Sequence, residues 1–196
     1  TYKKIFKKLT HRVIIMDTIK TVMDSSSMVK IEHQQSKHPL YDKWVLWAHL
    51  PHDTDWTIKS YQKIMKMFNV EDMLSLYSAM PEKLIKNCML FLMRDGINPT
   101  WEDPANKEGG CFSYKVTNKN VPQVWKKLSY VLAGETLSNN HKLSGVINGI
   151  TISPKRSFCI VKIWMKNCSI QNPSKLTDIP GLSVQGCIFK KHKPEY

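Results

Sequence analysis

The sequence predicts an α+β domain, with an antiparallel sheet covered on one face by helices. Two observations carry this. Short aromatic and β-branched runs recur at strand length, and helical spacing of apolar residues takes over in two places, each between strand pairs. With 196 residues, 42% of them hydrophobic, the chain can bury one sizeable core and is too short to suggest two.

Residues 1–37 read as a basic N-terminal extension and polar linker, and residues 38–196 as the compact domain. Phe6, Leu9, Val13, Met16 and Met23 recur every three or four residues among Lys3, Lys4, Lys7, Lys8 and Arg12, the pattern of a basic amphipathic helix. Such a helix can lie on a membrane, bind RNA, dock on a partner, or simply pack against the domain or fray in solution. Residues 24–37 (DSSSMVKIEHQQSK) are polar and read as the linker.

Within the domain, residues 44–50 (WVLWAHL) predict a strand, 52–55 (HDTD) a polar loop delivering Trp56, and 58–68 a second strand. Val70, Met73, Leu74, Tyr77 and Met80 share one face of a helix stopped at Pro81. Residues 89–93 predict a buried strand, 95–110 (DGINPTWEDPANKEGG) a long loop, and 111–116 another strand. Val121, Val124, Trp125, Leu128 and Leu132 stripe the second helix. Asn120 is placed to cap it, Pro122 stands in its first turn, and Gly134 is placed to end it. Residues 146–153 and 158–165 predict a hairpin around PKRS. A loop or short helix through 173–180 and a last strand at 183–189 complete the order.

The net charge of +13 points first to a polyanionic partner. Part of that excess is discounted, because lysine supplies nearly all of the 29 basic residues and arginine occurs only at 12, 94 and 156. The five cysteines are odd in number and never form C-x-x-C, which fits free thiols in a reducing compartment. The longest apolar run, 88–93 (CMLFLM), is far short of the ~18 residues of a membrane span. The chain opens at Thr1 with no secretory leader pattern, so the cytoplasm is the expected location and no membrane is expected.

Enzyme signatures are missing. The sequence holds no G-x-x-x-x-G-K-[ST], G-x-G-x-x-G or G-x-S-x-G. His49, His52, Asp53 and Asp55 fit no familiar zinc spacing, and Cys111 has no histidine near it in sequence. Neither catalysis nor a cofactor or metal is expected.

The six tryptophans are more informative. Trp56 and Trp101 fall in predicted loops, and Trp101 is followed by Glu102 and Asp103. Two exposed indoles can hold a flat base, at about 1–3 kcal/mol per stacked base. A positive charge on the base adds cation–π attraction. A carboxylate beside the slot accepts from guanine's N1–H and exocyclic amine. That set suits 7-methylguanine, whose ring is cationic; the alternative is that both indoles cap the ends of the core.

Residues 38–47 (HPLYDKWVLW), 70–77 (VEDMLSLY), 95–110 and the pair Gly134-Glu135 resemble the translation initiation factor 4E family, which binds the messenger RNA cap. The match runs in register from His38 to Trp164, and its most specific part is the long irregular loop 95–110. The resemblance implies a curved antiparallel sheet with helices on its convex back and the cap on its concave face. It implies that Trp56 and Trp101 sandwich the 7-methylguanine, that Glu102 binds its Watson–Crick edge, and that the Trp101 backbone N–H meets the guanine carbonyl. Trp164 matches the tryptophan touching the N7-methyl group; Trp44, Trp47 and Trp125 match structural ones.

Strict register puts Thr151 and Ile160 where the family has phosphate-binding basic residues. Lys162, on the face of Trp164 by alternation, and Lys155 and Arg156 in the hairpin turn are the expected substitutes, a plain solvated turn being the alternative for the last two. Pro173 and Pro180 suggest a truncated helix before the last strand, and the short end at Tyr196 suggests a reduced C-terminal loop beside the cap. The resemblance also implies a convex site for the helical peptide of an initiation factor 4G-like scaffold or a cognate equivalent. There His38, Pro39 and Val70 match, whereas Leu74 replaces a tryptophan, Lys126 and Lys127 replace a leucine and a glutamate, and Tyr130 replaces a leucine. The expected function is binding of 7-methylguanosine-capped mRNA in translation initiation. The alternatives are a cap-occupying homologue that does not recruit the usual scaffold, and a general single-stranded RNA-binding module.

Overall fold

Seven strands carry the molecule. In the computed structural model, which describes Lys4, Ile5, Lys7, Lys8 and residues 37–192, they are β1 (Pro39–His49), β2 (Tyr61–Asn69), β3 (Met89–Arg94), β4 (Gly110–Thr117), β5 (Ile147–Pro154), β6 (Phe158–Met165) and β7 (Ile188–Lys191). They form one curved, unclosed sheet in the order β2-β1-β3-β5-β6-β4-β7, every pairing antiparallel. Within residues 37–192 four α-helices complete the fold: α1 (Val70–Ala79), α2 (Glu82–Asn87), α3 (Val121–Ala133) and α4 (His141–Ser144).

The sheet is apolar on both faces at its centre, so strand alternation feeds two clusters rather than one. Trp44, Leu46, Leu90, Leu92, Ile150 and Ile163 join Met73, Leu76, Trp125 and Leu128 of α1 and α3 in the main core. The intervening residues Val45, Trp47, Phe91, Met93 and Trp164 form a smaller cluster on the concave side. The Tyr77 hydroxyl donates to Ser129 and binds α1 to α3 inside the main core.

Most expected elements are present, and the differences have local causes. β1 starts at Pro39 rather than 44: Pro39 pairs with Asn69, the register is irregular between Pro39 and Trp44, and the half-exposed residues between them show no apolar alternation to reveal the strand. Residues Ile58–Ser60 form a 3-10 turn before β2, held by Ser60 donating from its hydroxyl to the Thr57 carbonyl. α2 and α4 were not expected; they are too short to show a period. The last strand begins only at Ile188, since Gly186 has φ +80° and Cys187 N–H closes a turn on the Val184 carbonyl.

Helix ends also differ. Asn120 is αR and makes no side-chain cap. Gly134 keeps φ −79°, while Glu135 takes the left-handed conformation at φ 55°. That unusual backbone aims the Glu135 carboxylate at Arg94. α1 has a capping box, Asn69 with Asp72. Ile5 packs against the main core; the whole of the proposed N-terminal stripe (Phe6, Leu9, Val13, Met16, Met23) and nearly all the linker lie outside the described residues.

Arg94, the last residue of β3, makes five hydrogen bonds, the full donor capacity of a guanidinium. It is bidentate to Glu135 (2.7 and 2.7 Å), pairs with Asp42 (2.6 Å), and donates to the Ile147 and Ser144 carbonyls. Burial works against its charge, but the Glu135 and Asp42 carboxylates outweigh that and raise its pKa. Glu135→Gln should destabilise the fold by about 3 kcal/mol, because a buried cation is left half-paired. Asp42→Asn, at a more exposed carboxylate, should cost about 0–1 kcal/mol. Urea unfolding of both variants checks the ranking, and equal midpoints would contradict it.

Candidate ligand-binding site

Two loops bring Trp56 and Glu102 to one cavity, Trp164 and Lys162 lie on the concave floor, and Lys155 and Arg156 stand apart in the β5–β6 turn. The first loop joins β1 to β2. Its Asp55 carboxylate accepts from the Thr57 N–H (2.8 Å) and hydroxyl (3.1 Å), a local Asx turn that leaves Trp56 55% exposed. Behind that indole lies His49, ring parallel at 4.1 Å and only 2% exposed. The His49 Nε2 donates to the Asp55 carbonyl at 2.8 Å, which requires the proton on Nε2. One indole face is thus covered, and a flat ligand has the other.

The second loop, residues 95–109, leaves β3 and returns to β4. Its polar residues fold it from within. Asp103 accepts from the Asn98 (3.0 Å) and Ala105 (2.9 Å) amides. Fully buried Asn106 donates to the Asn98 and Thr100 carbonyls, and accepts from Asn148, whose amide also reaches the Ala105 carbonyl. At the loop's end a Cβ on Gly109 would lie 1.8 Å from the Met165 carbonyl oxygen, so only glycine fits. Ile97 packs on the concave cluster and draws the loop across that face. With its backbone and carboxamides so occupied, the loop presents Trp101, 46% exposed, and Glu102.

Between the loops is a cavity of about 340 Å³ lined by Trp56, Thr57, Ile58, Asn98, Thr100 and Glu102, with Asp103 and Pro104. Trp101 stands between two lining residues without lining the cavity itself. Burial, and then the negative charge of Glu102, push the Tyr61 phenol up to about 12. Glu102 therefore acts electrostatically on the residue packed edge-on against His49 at 5.1 Å.

On the floor, Trp164 is 6% exposed and its Nε1–H donates to the Thr151 hydroxyl at 2.7 Å. Thr151, standing where a basic residue was expected, thus fixes the indole. His192 covers Trp164 with ring centroids 4.6 Å apart, and its pKa falls to about 4 through burial and then the nearby charge of Lys162. Lys162 lies on the same strand face as Trp164, across from Thr151 and Ser113. Lys155 and Arg156 are exposed in the β5–β6 turn, closed by the Lys155 N–H on the Phe158 carbonyl (2.8 Å). His49, Asn106, Asn148 and His192 were not expected at the site. Only Asn106, within the loop motif, had a sequence signal. Among the described residues, no group of three or more His, Cys, Asp or Glu could hold a metal ion, and no helix is long and apolar enough to cross a membrane.

On the convex side, His38 pairs through Nδ1 with Glu71 (2.7 Å), and its carbonyl accepts from the Val70 N–H (2.9 Å). Pro39 is paired with Asn69 beside them. Val70 and Leu74 are exposed on α1, Leu74 by 52%. On α3, Lys126 lies 5.8 Å from the Tyr130 ring, which packs edge-on against Tyr77, and Lys127 is exposed.

A sequence profile of eukaryotic initiation factor 4E matches residues 39–189, a span taking in both loops, the floor and the convex helices. The chain belongs to the initiation factor 4E family. Relatives include eukaryotic translation initiation factor 4E of Eremothecium gossypii, 30% identical over 67% of this chain and 64% of that protein. That of Candida albicans is 28% identical over 76% and 72%. The fold is similar to that of Caenorhabditis elegans eIF4E-3, solved in complex with the 4E-binding protein Mextli and a cap analog. The TM-score is 0.63 at 23% identity, covering 71% of this chain and 80% of that one.

Asn106 has no contact with solvent and holds three bonds of the Trp101 loop. Asn106→Ala should cost about 1–3 kcal/mol by leaving carbonyls unsatisfied. It should also make Trp101 more accessible to acrylamide, measured in a Trp56→Phe background against the same background with Asn106 intact. Unchanged stability and unchanged quenching would show that the loop is held otherwise.

Proposed function

We propose that this protein binds the 7-methylguanosine cap of mRNA in the cavity between Trp56 and Glu102, and acts in cytoplasmic translation initiation through a partner on its convex face. The observation that carries the reading is a half-free indole and a carboxylate lining one cavity, with a second exposed indole adjacent in sequence to the carboxylate. Trp56, backed by His49, offers one face to the base, and Trp101 closes on the other. Both gain from the positive charge of the methylated ring. Glu102 accepts from N1–H and the exocyclic amine, while the Trp101 backbone N–H meets the guanine carbonyl. Trp164 and the overlying His192 lie towards the methyl group, and Lys162 meets the phosphates. Membership of a family of translation factors supports a binding role rather than catalysis.

Trp56→Ala and Trp101→Ala should each remove about 1–3 kcal/mol of affinity for 7-methyl-GTP. Glu102→Ala should cost on the order of 1.5–3 kcal/mol. Lys162→Ala should weaken the triphosphate while sparing the bare nucleoside, since phosphate contacts carry no base information. Calorimetric titration reads all four; wild-type binding by the two indole variants and Glu102→Ala sinks the pocket assignment.

The convex face supports a cognate partner over a generic scaffold peptide. A helix in a groove takes its affinity from a few buried anchors, among which tryptophan ranks high. Leu74 offers less area, and Lys126 and Lys127 favour an acidic ligand over a basic one. A generic basic 4G-type peptide should bind weakly, and Leu74→Trp with Lys126→Leu and Lys127→Glu should tighten it at least about tenfold, roughly 1.4 kcal/mol. Tight wild-type binding, unaltered in the triple variant, would contradict this.

A further inference from the structure

β6 shows one face to the concave side at every second residue, and along it the side chains read Trp164, Lys162, Ile160 and Phe158. The series opens outward from the pocket. Trp164 is buried, whereas Lys162, Ile160 and Phe158 are each partly exposed. Lys115 of β4 stands opposite Ile160 on the same face, is exposed, and holds its Nζ 4.6 Å from the centre of the Phe158 ring. The exposed Lys155 and Arg156 of the turn then continue the positive charge past Phe158. From Trp164 to Phe158 is six residues of strand, about 20 Å.

Basic side chains interleaved with an accessible aromatic are what a single-stranded nucleic acid uses. Lysines neutralise phosphates, and a ring stacks a base with little regard to sequence. The strip begins at Lys162, where the cap's phosphates are placed above. Resting on that reading, we propose that the outer half of the β6 face, with Lys115 and Phe158, is a second binding site, which carries the first nucleotides of the RNA chain after the cap. Lys115 leaves the Phe158 ring for a backbone phosphate, and the freed ring takes a base.

Three ligands test this on the full chain: 7-methyl-GTP, a 7-methylguanosine-capped RNA hexamer, and the same hexamer uncapped. Wild type should bind the capped hexamer more tightly than 7-methyl-GTP. Lys115→Glu should cut capped-hexamer affinity at least about fivefold at 0.1 M salt, and flatten its salt dependence by roughly 0.7 in log–log slope, the share of one single-strand phosphate contact. Phe158→Ala should cut it about tenfold. Both variants should bind 7-methyl-GTP as wild type does, which also shows that they are folded. Normal 7-methyl-GTP binding with no advantage for the capped hexamer, or with variants that lose none of it, overturns the proposal. Failure of wild type to bind 7-methyl-GTP overturns the cap reading instead. In that case uncapped-hexamer binding sensitive to Lys115 and Phe158 supports the RNA path, and its absence or insensitivity overturns it.

Discussion

The site depends on one guanidinium. Arg94 closes β3 at the point where the chain leaves the sheet for the loop bearing Trp101 and Glu102. Its donors tie together β1 through Asp42, the end of α3 through Glu135, α4 through Ser144 and the start of β5 through Ile147. Its plane also lies 4.6 Å from the Trp44 ring. A lysine would supply the charge without the fork. The other end of the same loop is fixed by Gly109 beneath Met165. With both ends held and Asp103 and Asn106 occupying the interior, an irregular loop becomes a rigid platform, which is what leaves a large indole exposed in a fixed place.

The curved sheet divides the work between its faces. The convex cluster is large and built with α1 and α3, so it supplies most of the stability. The concave cluster is small, aromatic and open at its margin, so polar and flat ligands can approach it. Its tryptophans differ in duty. Trp47 and Trp164 are packed, Trp164 with its N–H committed to Thr151, whereas Trp56 and Trp101 keep free surface. Thr151 thus holds an indole, and Lys162, opposite it on the neighbouring strand, carries the positive charge.

Much of this could be read before the structure, and the limits of reading have physical causes. Strongly periodic helices such as α3, and apolar strands such as β3, announce themselves because burial dictates every residue. The polar, irregular stretches around Trp56, Trp101 and Glu102 placed them on loops, and the two loops do share one cavity. What stayed hidden depends on through-space partners. Nothing in WVLWAHL says that His49 will stack on an indole seven residues later, nor that Asn148 will complete a network begun by Asn106. The left-handed turn at Glu135 rather than Gly134 reflects the pull of Arg94, a tertiary demand that overrides local preference. α2 and α4, at one or two turns, carry no period to detect.

The most direct measurement of the central claim is the ratio of wild-type affinities for 7-methyl-GTP and GTP, determined under one buffer and salt condition. The two ligands share phosphates, ribose and Watson–Crick edge, and differ in the methyl group and the charge it fixes on the ring. A cationic base held against Trp56 and Trp101 should bind at least about tenfold more tightly than the neutral one, as a desolvated cation–π contact requires. Equal affinities would mean that the indoles recognise no charge on the base, and would contradict a cap-binding pocket here.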